Sequence, residues 1–303
     1  LALRFIPRMG FGQGLYYAVF HAISAFCNAG FDLMGRYEAF SSLTGYASDV
    51  LVNITVMLLI IIGGIGFLVW DDILKCRLSF KNYSLHSKIV LVTTPVLLVG
   101  GAIGYFVFEQ NYTLQGNGIG EQILKSFFAS TTMRTAGFNT IDYASMSPSA
   151  SLLSDVLMMI GGSPGSTAGG MKITTIALVF LSMVSMLRGQ SDTVIGKRRV
   201  STILIKQAAV IILVYAVYIL AGTMLICHIE GLPMSNVLFE VISAVCTVGV
   251  TTGITPHLCA LSHIILIILM YGGRIGGFTL MLILGKQNKQ PPLRRPKENI
   301  LIG

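Results

Sequence analysis

Apolar positions along the chain gather into five long runs, with polar positions confined to the connections between them. The runs are about Ala47–Trp70, Ser87–Phe108, Leu152–Leu187, Ile203–Cys227 and Leu261–Leu284. A helix needs roughly 20 apolar residues to cross a bilayer, so each run can span one. The third has residues to spare, because GGSPGSTAGGMK interrupts it at 161–172. Glycine and proline disfavour a continuous helix there, and the pattern predicts a broken span.

Three shorter apolar stretches repeat one another: FHAISAFCNAGFD at 20–32, FFASTTMRTAGFN at 127–139 and FEVISAVCTVGVT at 239–251. Aligned on Gly30, Gly137 and Gly249, each has Phe ten residues earlier (Phe20, Phe127, Phe239). Each has a hydroxyl residue six earlier (Ser24, Thr131, Ser243) and a polar residue two earlier (Asn28, Thr135, Thr247). The spacings are 107 and 112 residues, so the chain reads as a tandem array. The unit is a span, a half-length helix, a Gly-bearing segment and a second span. It divides the chain into 1–75, 76–190, 191–286 and a tail at 287–303. Of the second spans, only that of the 76–190 unit is expected to carry a break. The first unit has no room for its leading span, which is expected upstream of residue 1.

A dozen apolar residues cannot cross a bilayer and predict a re-entrant element. Non-helical backbone at membrane depth persists only where it is buried in protein or lines a water-filled cavity. The predicted fold is therefore an all-α membrane protein, with tandem pseudo-repeats of span, pore half-helix, loop and span around a central pore.

Composition agrees. Hydrophobic residues make up 53% of the 303 residues and charged ones 11%, against about 25% charged in soluble domains; mean hydropathy is +0.76. The net charge of +8 lies on alternate connections. Lys75, Arg77, Lys81 and Lys88 form one cluster and Arg188, Lys197, Arg198, Arg199 and Lys206 a second. Lys286, Lys289, Arg294, Arg295 and Lys297 occupy the tail. The positive-inside rule places these clusters and the C-terminus in the cytoplasm, so the charge reports topology and not a nucleic-acid partner. The five cysteines show no C-x-x-C spacing and sit mostly in or beside apolar runs, which predicts buried thiols over disulfides or a metal site.

At each Gly segment a half-helix ends. Its terminal carbonyls carry partial negative charge, and glycine permits backbone turns that aim successive carbonyls at one axis. Rings of carbonyls replace the hydration shell of a cation. Helix packing is the competing use of small residues in membranes, and matched positions after matched half-helices weigh against it.

FCNAGFD, STTMRTAGFNT and VCTVGVTTGIT, together with GGSPGSTAGGMKITT and MYGGRIGGF, resemble the Trk/Ktr/HKT superfamily of potassium transporters. The tail ENILIG extends the likeness towards the bacterial KtrB-type membrane subunits. The resemblance implies four pseudo-repeats around one pore, of which this chain is repeats two to four. It implies a selectivity filter of backbone carbonyls at Asn28, Ala29, Gly30 and Phe31, at Thr135, Ala136, Gly137 and Phe138, and at Thr247, Val248, Gly249 and Val250. Glycine at the central position goes with potassium selectivity. It implies an intramembrane gating loop of Gly161, Gly162, Ser163, Pro164, Gly165, Ser166, Thr167, Ala168, Gly169 and Gly170, with Lys172 and Arg274 as candidates to hold it shut. It implies potassium uptake, often sodium-stimulated, with no cofactor on this chain. The implied surroundings are membrane lipid, a second copy in a homodimer, and a cytosolic ring of RCK-type regulatory subunits binding ATP or ADP.

A charge inside a span is costly and usually functional. Arg274 lies about fourteen residues into the last run, and by resemblance projects into the ion path below the filter. Arg134 replaces the cysteine found at Cys27 and Cys246, as an anchor of the pore loop or a purely structural group. Asp32 attracts cations at an outer mouth or is a solvated loop carboxylate. The 161–172 segment is not a phosphate loop. From Gly165 it gives G-x-x-x-x-G, but Met171 precedes Lys172 and no strand leads into it. A coupled carrier with broken helices remains the alternative. An enzyme does not fit, since no paired carboxylates, His cluster or nucleophile with a base is present at useful spacing.

Overall fold

The computed structural model describes residues 1–37, 40–77, 79–190, 192–195 and 198–275. The end of the last apolar run, the basic tail with ENILIG, and Lys197 lie outside the described residues. The chain starts with α1 (Ala2–Met9) and α2 (Phe11–Phe26), then α3 (Val50–Ile65) and α4 (Phe67–Cys76). Next come α5 (Leu85–Phe108), α6 (Ile119–Thr132), α7 (Pro148–Met159) and α8 (Ile173–Leu187). A two-residue hairpin, β1 (Val194–Ile195) with β2 (Arg198–Arg199), leads to α9 (Thr202–Glu230), α10 (Met234–Val245) and α11 (Ala260–Ile275).

Local chemistry sets several boundaries. Asp49, Ser84 and Ser147 accept from the amides of Val52, Ser87 and Ala150, capping α3, α5 and α7. Pro148 opens α7, where a missing N–H costs nothing. Gly231 ends α9 in the left-handed conformation, its amide on the Cys227 carbonyl.

Among the described residues, α5 and α9 are each long and apolar enough to cross a membrane. The half-length helices α2, α6 and α10 precede the three glycine segments, giving the repeat predicted from the sequence. Two expectations need correction. The Ala47–Trp70 run is not one straight span: α3 and α4 meet at Gly66 with a 90° bend. The break in the 76–190 unit is therefore not the only one in a second span. Gly66 has φ +95°, which a side chain rarely tolerates, and the bend is braced by loop 160–172 as described below. The cysteines also differ from expectation. All five are free, and only Cys246 is fully buried; Cys27 and Cys259 are exposed. An apolar run in a membrane protein has a lipid-facing side as well as a buried one, so run membership does not fix burial.

The cores lie between repeats as much as within them. Phe128 and Phe138 of the second unit pack with Phe5, Tyr17 and Val52 of the first. Met133 and Met158 of the second join Phe239 and Val245 of the third.

Candidate functional site

The three glycine segments adopt one conformation. The residue two before each glycine is left-handed: Asn28 (φ 48°), Thr135 (66°) and Thr247 (55°). The glycines are left-handed too, at 71°, 86° and 89°. For β-branched Thr135 and Thr247 this backbone is strained, and such strain persists where surrounding contacts over-determine it. Hydroxyls provide some of those contacts. Ser24, Thr132 and Ser243 each donate to the carbonyl just after the glycine, at Phe31, Phe138 and Val250, all at 2.7 Å. In the middle unit the working hydroxyl is Thr132, not the aligned Thr131, which turns back to the Phe127 carbonyl. The cause is register. Helix α2 ends four residues before Gly30 and α10 four before Gly249, while α6 ends five before Gly137. The middle loop is one residue longer.

The segments converge. A Cβ on Gly30 would lie 2.6 Å from the Ala136 carbonyl and 2.9 Å from the Gly137 Cα. A Cβ on Gly137 would lie 2.4 Å from the Val248 carbonyl. Gly30 and Gly137 thus each rest against the backbone of the next segment, beside the carbonyl that precedes its glycine. A Cβ on Gly249 would meet nothing within 4 Å.

Two side chains that sequence reading missed support these segments. Glu240 of α10 accepts from the Thr252 amide at 2.9 Å and from the hydroxyls of Thr251 and Thr255. His21 of α2 stands at the same register and accepts from the Leu33 amide at 3.4 Å. Both sit nine residues before the glycine and hold the amide three residues after it. At this register the middle unit has Phe128, fully buried among apolar groups. The available signal was a polar residue inside the apolar half-helices at matched positions.

Below the glycine segments lies the 160–172 break. It is a closed loop whose ends are pinned: the Gly161 amide donates to Met171 at 2.8 Å and the Ile173 amide to Gly162 at 3.0 Å. It touches all three units. The Thr167 hydroxyl donates to the Phe26 carbonyl at the end of α2 (3.1 Å). The Gly169 amide donates to the Thr135 hydroxyl (3.1 Å). A Cβ on Gly169 would fall 1.8 Å from the Thr247 hydroxyl, so the loop backbone is pressed against the third segment. The Ser163 amide donates to Gly64, and Phe67 at the α3–α4 bend donates to Gly165, both at 3.0 Å.

Cations grip this loop. Lys172 donates to the Ala168 carbonyl at 2.7 Å and Arg274 to the adjacent Thr167 carbonyl at 3.4 Å. Arg134 is buried and reaches the Gly161 carbonyl at 3.4 Å, which ties the middle glycine segment to the start of the loop. Asp32 accepts from the amides of Met34 and Gly35, shaping its own turn. The predicted residues are thus brought together, and the positions just after the three glycines differ in packing: Phe31 is 70% exposed, while Phe138 and Val250 are buried.

A second repeat signature emerges from the packing. A Cβ on Gly63 would lie 1.9 Å from the Phe26 carbonyl, and one on Gly273 would lie 1.7 Å from the Val245 carbonyl. Paired glycines in the second spans, Gly63–Gly64 and Gly272–Gly273, let each half-helix end sit directly on backbone, a use of small residues that close helix approach requires.

Comparison with known proteins bears on this arrangement. The cation transport protein family TrkH matches residues 6–293. The potassium/sodium uptake protein NtpJ of Enterococcus hirae is 38% identical over the whole chain and 67% of its own length. The Ktr system potassium uptake protein B of Bacillus subtilis is 36% identical over the whole chain and 67% of its own length. The chain therefore spans about two thirds of these relatives. The crystal structure of the potassium transporter TrkH from Vibrio parahaemolyticus superposes with a TM-score of 0.72 at 18% identity, covering 90% of this chain and 59% of that one. It has the same fold.

Proposed function

The chain belongs to the TrkH family of cation transport proteins, and we propose that it forms most of the ion path of a potassium uptake subunit in the cell membrane. One observation carries this reading. Three glycine segments share the same left-handed pattern, and two of the three glycines rest on the carbonyl of the next segment. Backbone oxygens held in that way, at the negative ends of three half-helices, suit a dehydrated alkali cation. The names of the relatives add potassium to the reading.

In this reading Asn28–Phe31, Thr135–Phe138 and Thr247–Val250 are the selectivity filter, and a fourth segment completes the ring on the Gly249 side. Loop 160–172 is the gate. It lies under all three segments and is held by Lys172 and Arg274. The basic connections and the C-terminus face the cytoplasm. A homodimer, sodium stimulation and a nucleotide-binding regulatory ring of the RCK type belong to the same proposal; the basic connections are where the ring would dock.

The test is rubidium uptake by the full-length parent in cells deficient in potassium uptake, with sodium as competitor. Rubidium entry that excess potassium suppresses and sodium does not is the expected result. Sodium entering as readily as rubidium would sink the selectivity claim.

A further inference from the structure

A cleft of about 920 Å³ opens between α5 and α8, at the large end of the roughly 300–1,000 Å³ typical of small-molecule sites. Its walls are apolar, with Val92 and Val96 from α5 and Phe180 from α8. All three are more than half exposed, so the cleft faces outward from the helices and not into the ion path. One end carries Lys81, Lys88 and Arg198. Among the described residues no carboxylate lines it.

The basic end is built rather than incidental. Lys88 donates to the Lys81 carbonyl at 2.7 Å and its ammonium sits 6.0 Å from the Phe80 ring, which keeps the charge at the mouth. Asp72, in the neighbouring helix α4, accepts from the hydroxyls of Ser84 and Ser87. Asp192 pairs with Arg199 at 2.8 Å, which leaves the adjacent Arg198 on the cleft. The other end of the cleft is closed by Ile160 and Ile173, the two residues at which the chain leaves α7 and enters α8 around the loop.

We propose that this cleft binds an anionic phospholipid of the cytoplasmic leaflet, with acyl chains along α5 and α8 and the phosphate at Lys81, Lys88 and Arg198. Basic pockets between helices on the cytoplasmic side recognise such headgroups, and a groove that is apolar at membrane depth and basic at the surface matches both halves of the molecule. A bound chain touches both stems of loop 160–172 and favours the arrangement in which Ile160 and Ile173 lie side by side. The leaflet assignment rests on the orientation proposed above.

The test is lipid retention by the purified full-length parent in detergent, read by native mass spectrometry with phosphatidylglycerol and phosphatidylcholine of identical chains. It requires no transport, so failure of the uptake reading is seen separately. The parent should retain phosphatidylglycerol preferentially. Each basic residue near a membrane surface contributes roughly fivefold, so the triple variant Lys81→Gln, Lys88→Gln, Arg198→Gln should lose about a hundredfold. Ala177→Trp, which fills the cleft, should reduce retention of both lipids while leaving the charges in place. Equal retention of the two lipids, or insensitivity to either variant, overturns the proposal. So does displacement of phosphatidylglycerol by inorganic phosphate alone, which marks an anion site without a lipid. A disulfide between two copies through Val96→Cys, in a background lacking the native cysteines, places a second copy in the cleft and likewise overturns it.

Discussion

Two second spans break against each other by different means. The first turns through 90° at one residue, Gly66. The second opens into a loop between Met159 and Ile173 that carries its own hydrogen bonds. The two fit each other. A Cβ on Gly66 would lie 2.9 Å from the Pro164 carbonyl, and the Phe67 amide donates to Gly165. The bend is the seat, and in the proposed gate the loop is the part that moves. A sharp bend has few hydrogen bonds to exchange, whereas a loop held by side chains and amides can trade each of them for water or for another partner. What separates the breaks is therefore the number of replaceable contacts, not the loss of helix.

Deleting residues 162–169 from the full-length protein strikes this contrast hardest. Rubidium flux in liposomes should rise about tenfold or more, a barrier lowered by at least ~1.4 kcal/mol. Nucleotide control should weaken in parallel, and unchanged flux and control would remove the gate from the account. Next come paired glycine substitutions. Gly66→Ala meets both a positive φ and the Pro164 carbonyl and should destabilise by about 2–3 kcal/mol. Gly165 also has a positive φ, +71°, but the Cβ of Gly165→Ala would find only Leu68 at 3.8 Å, and the substitution should cost about 1–2 kcal/mol. Equal shifts in thermal midpoint would mean that seat and loop are equally rigid. Arg274→Ala removes a long hydrogen bond and a charge from the loop. Uptake should rise several-fold while the thermal midpoint stays nearly constant; if neither uptake nor regulation changes, Arg274 does not hold the loop. Smallest of all, Thr167→Val removes a bond to the Phe26 carbonyl worth about 1 kcal/mol, and should raise flux modestly with the same selectivity. A change in the rubidium-to-sodium ratio instead would mean that Thr167 acts on the filter.

Much of this is legible in the sequence. The apolar runs predicted α5 and α9 to within a few residues, since a span is dictated by bilayer thickness. The repeat around Gly30, Gly137 and Gly249 predicted three equivalent turns, and the left-handed residues fall where the alignment placed polar groups and glycines. The Gly66 bend was not legible, because IGGIGF reads as a continuation of an apolar run and its reason lies about a hundred residues away in Pro164 and Gly165. The switch from Thr131 to Thr132 was hidden for a similar reason: where a half-helix ends is settled by packing, to within one residue. His21 and Glu240 carried a signal, a polar group at one register inside apolar helices, that only a comparison between units exposes.

The sequence by itself determined the class of the protein, its repeat, and the break at 161–172. Those follow from short-range rules: apolar length, glycine torsion and charge asymmetry across the membrane. Only the tertiary structure decided that the glycines lean on one another's carbonyls, that the loop reaches all three units, and that Lys172 and Arg274 hold neighbouring carbonyls of it. These are contacts between residues up to 141 positions apart. They depend on helix packing distances set by many side chains together, which no local pattern encodes.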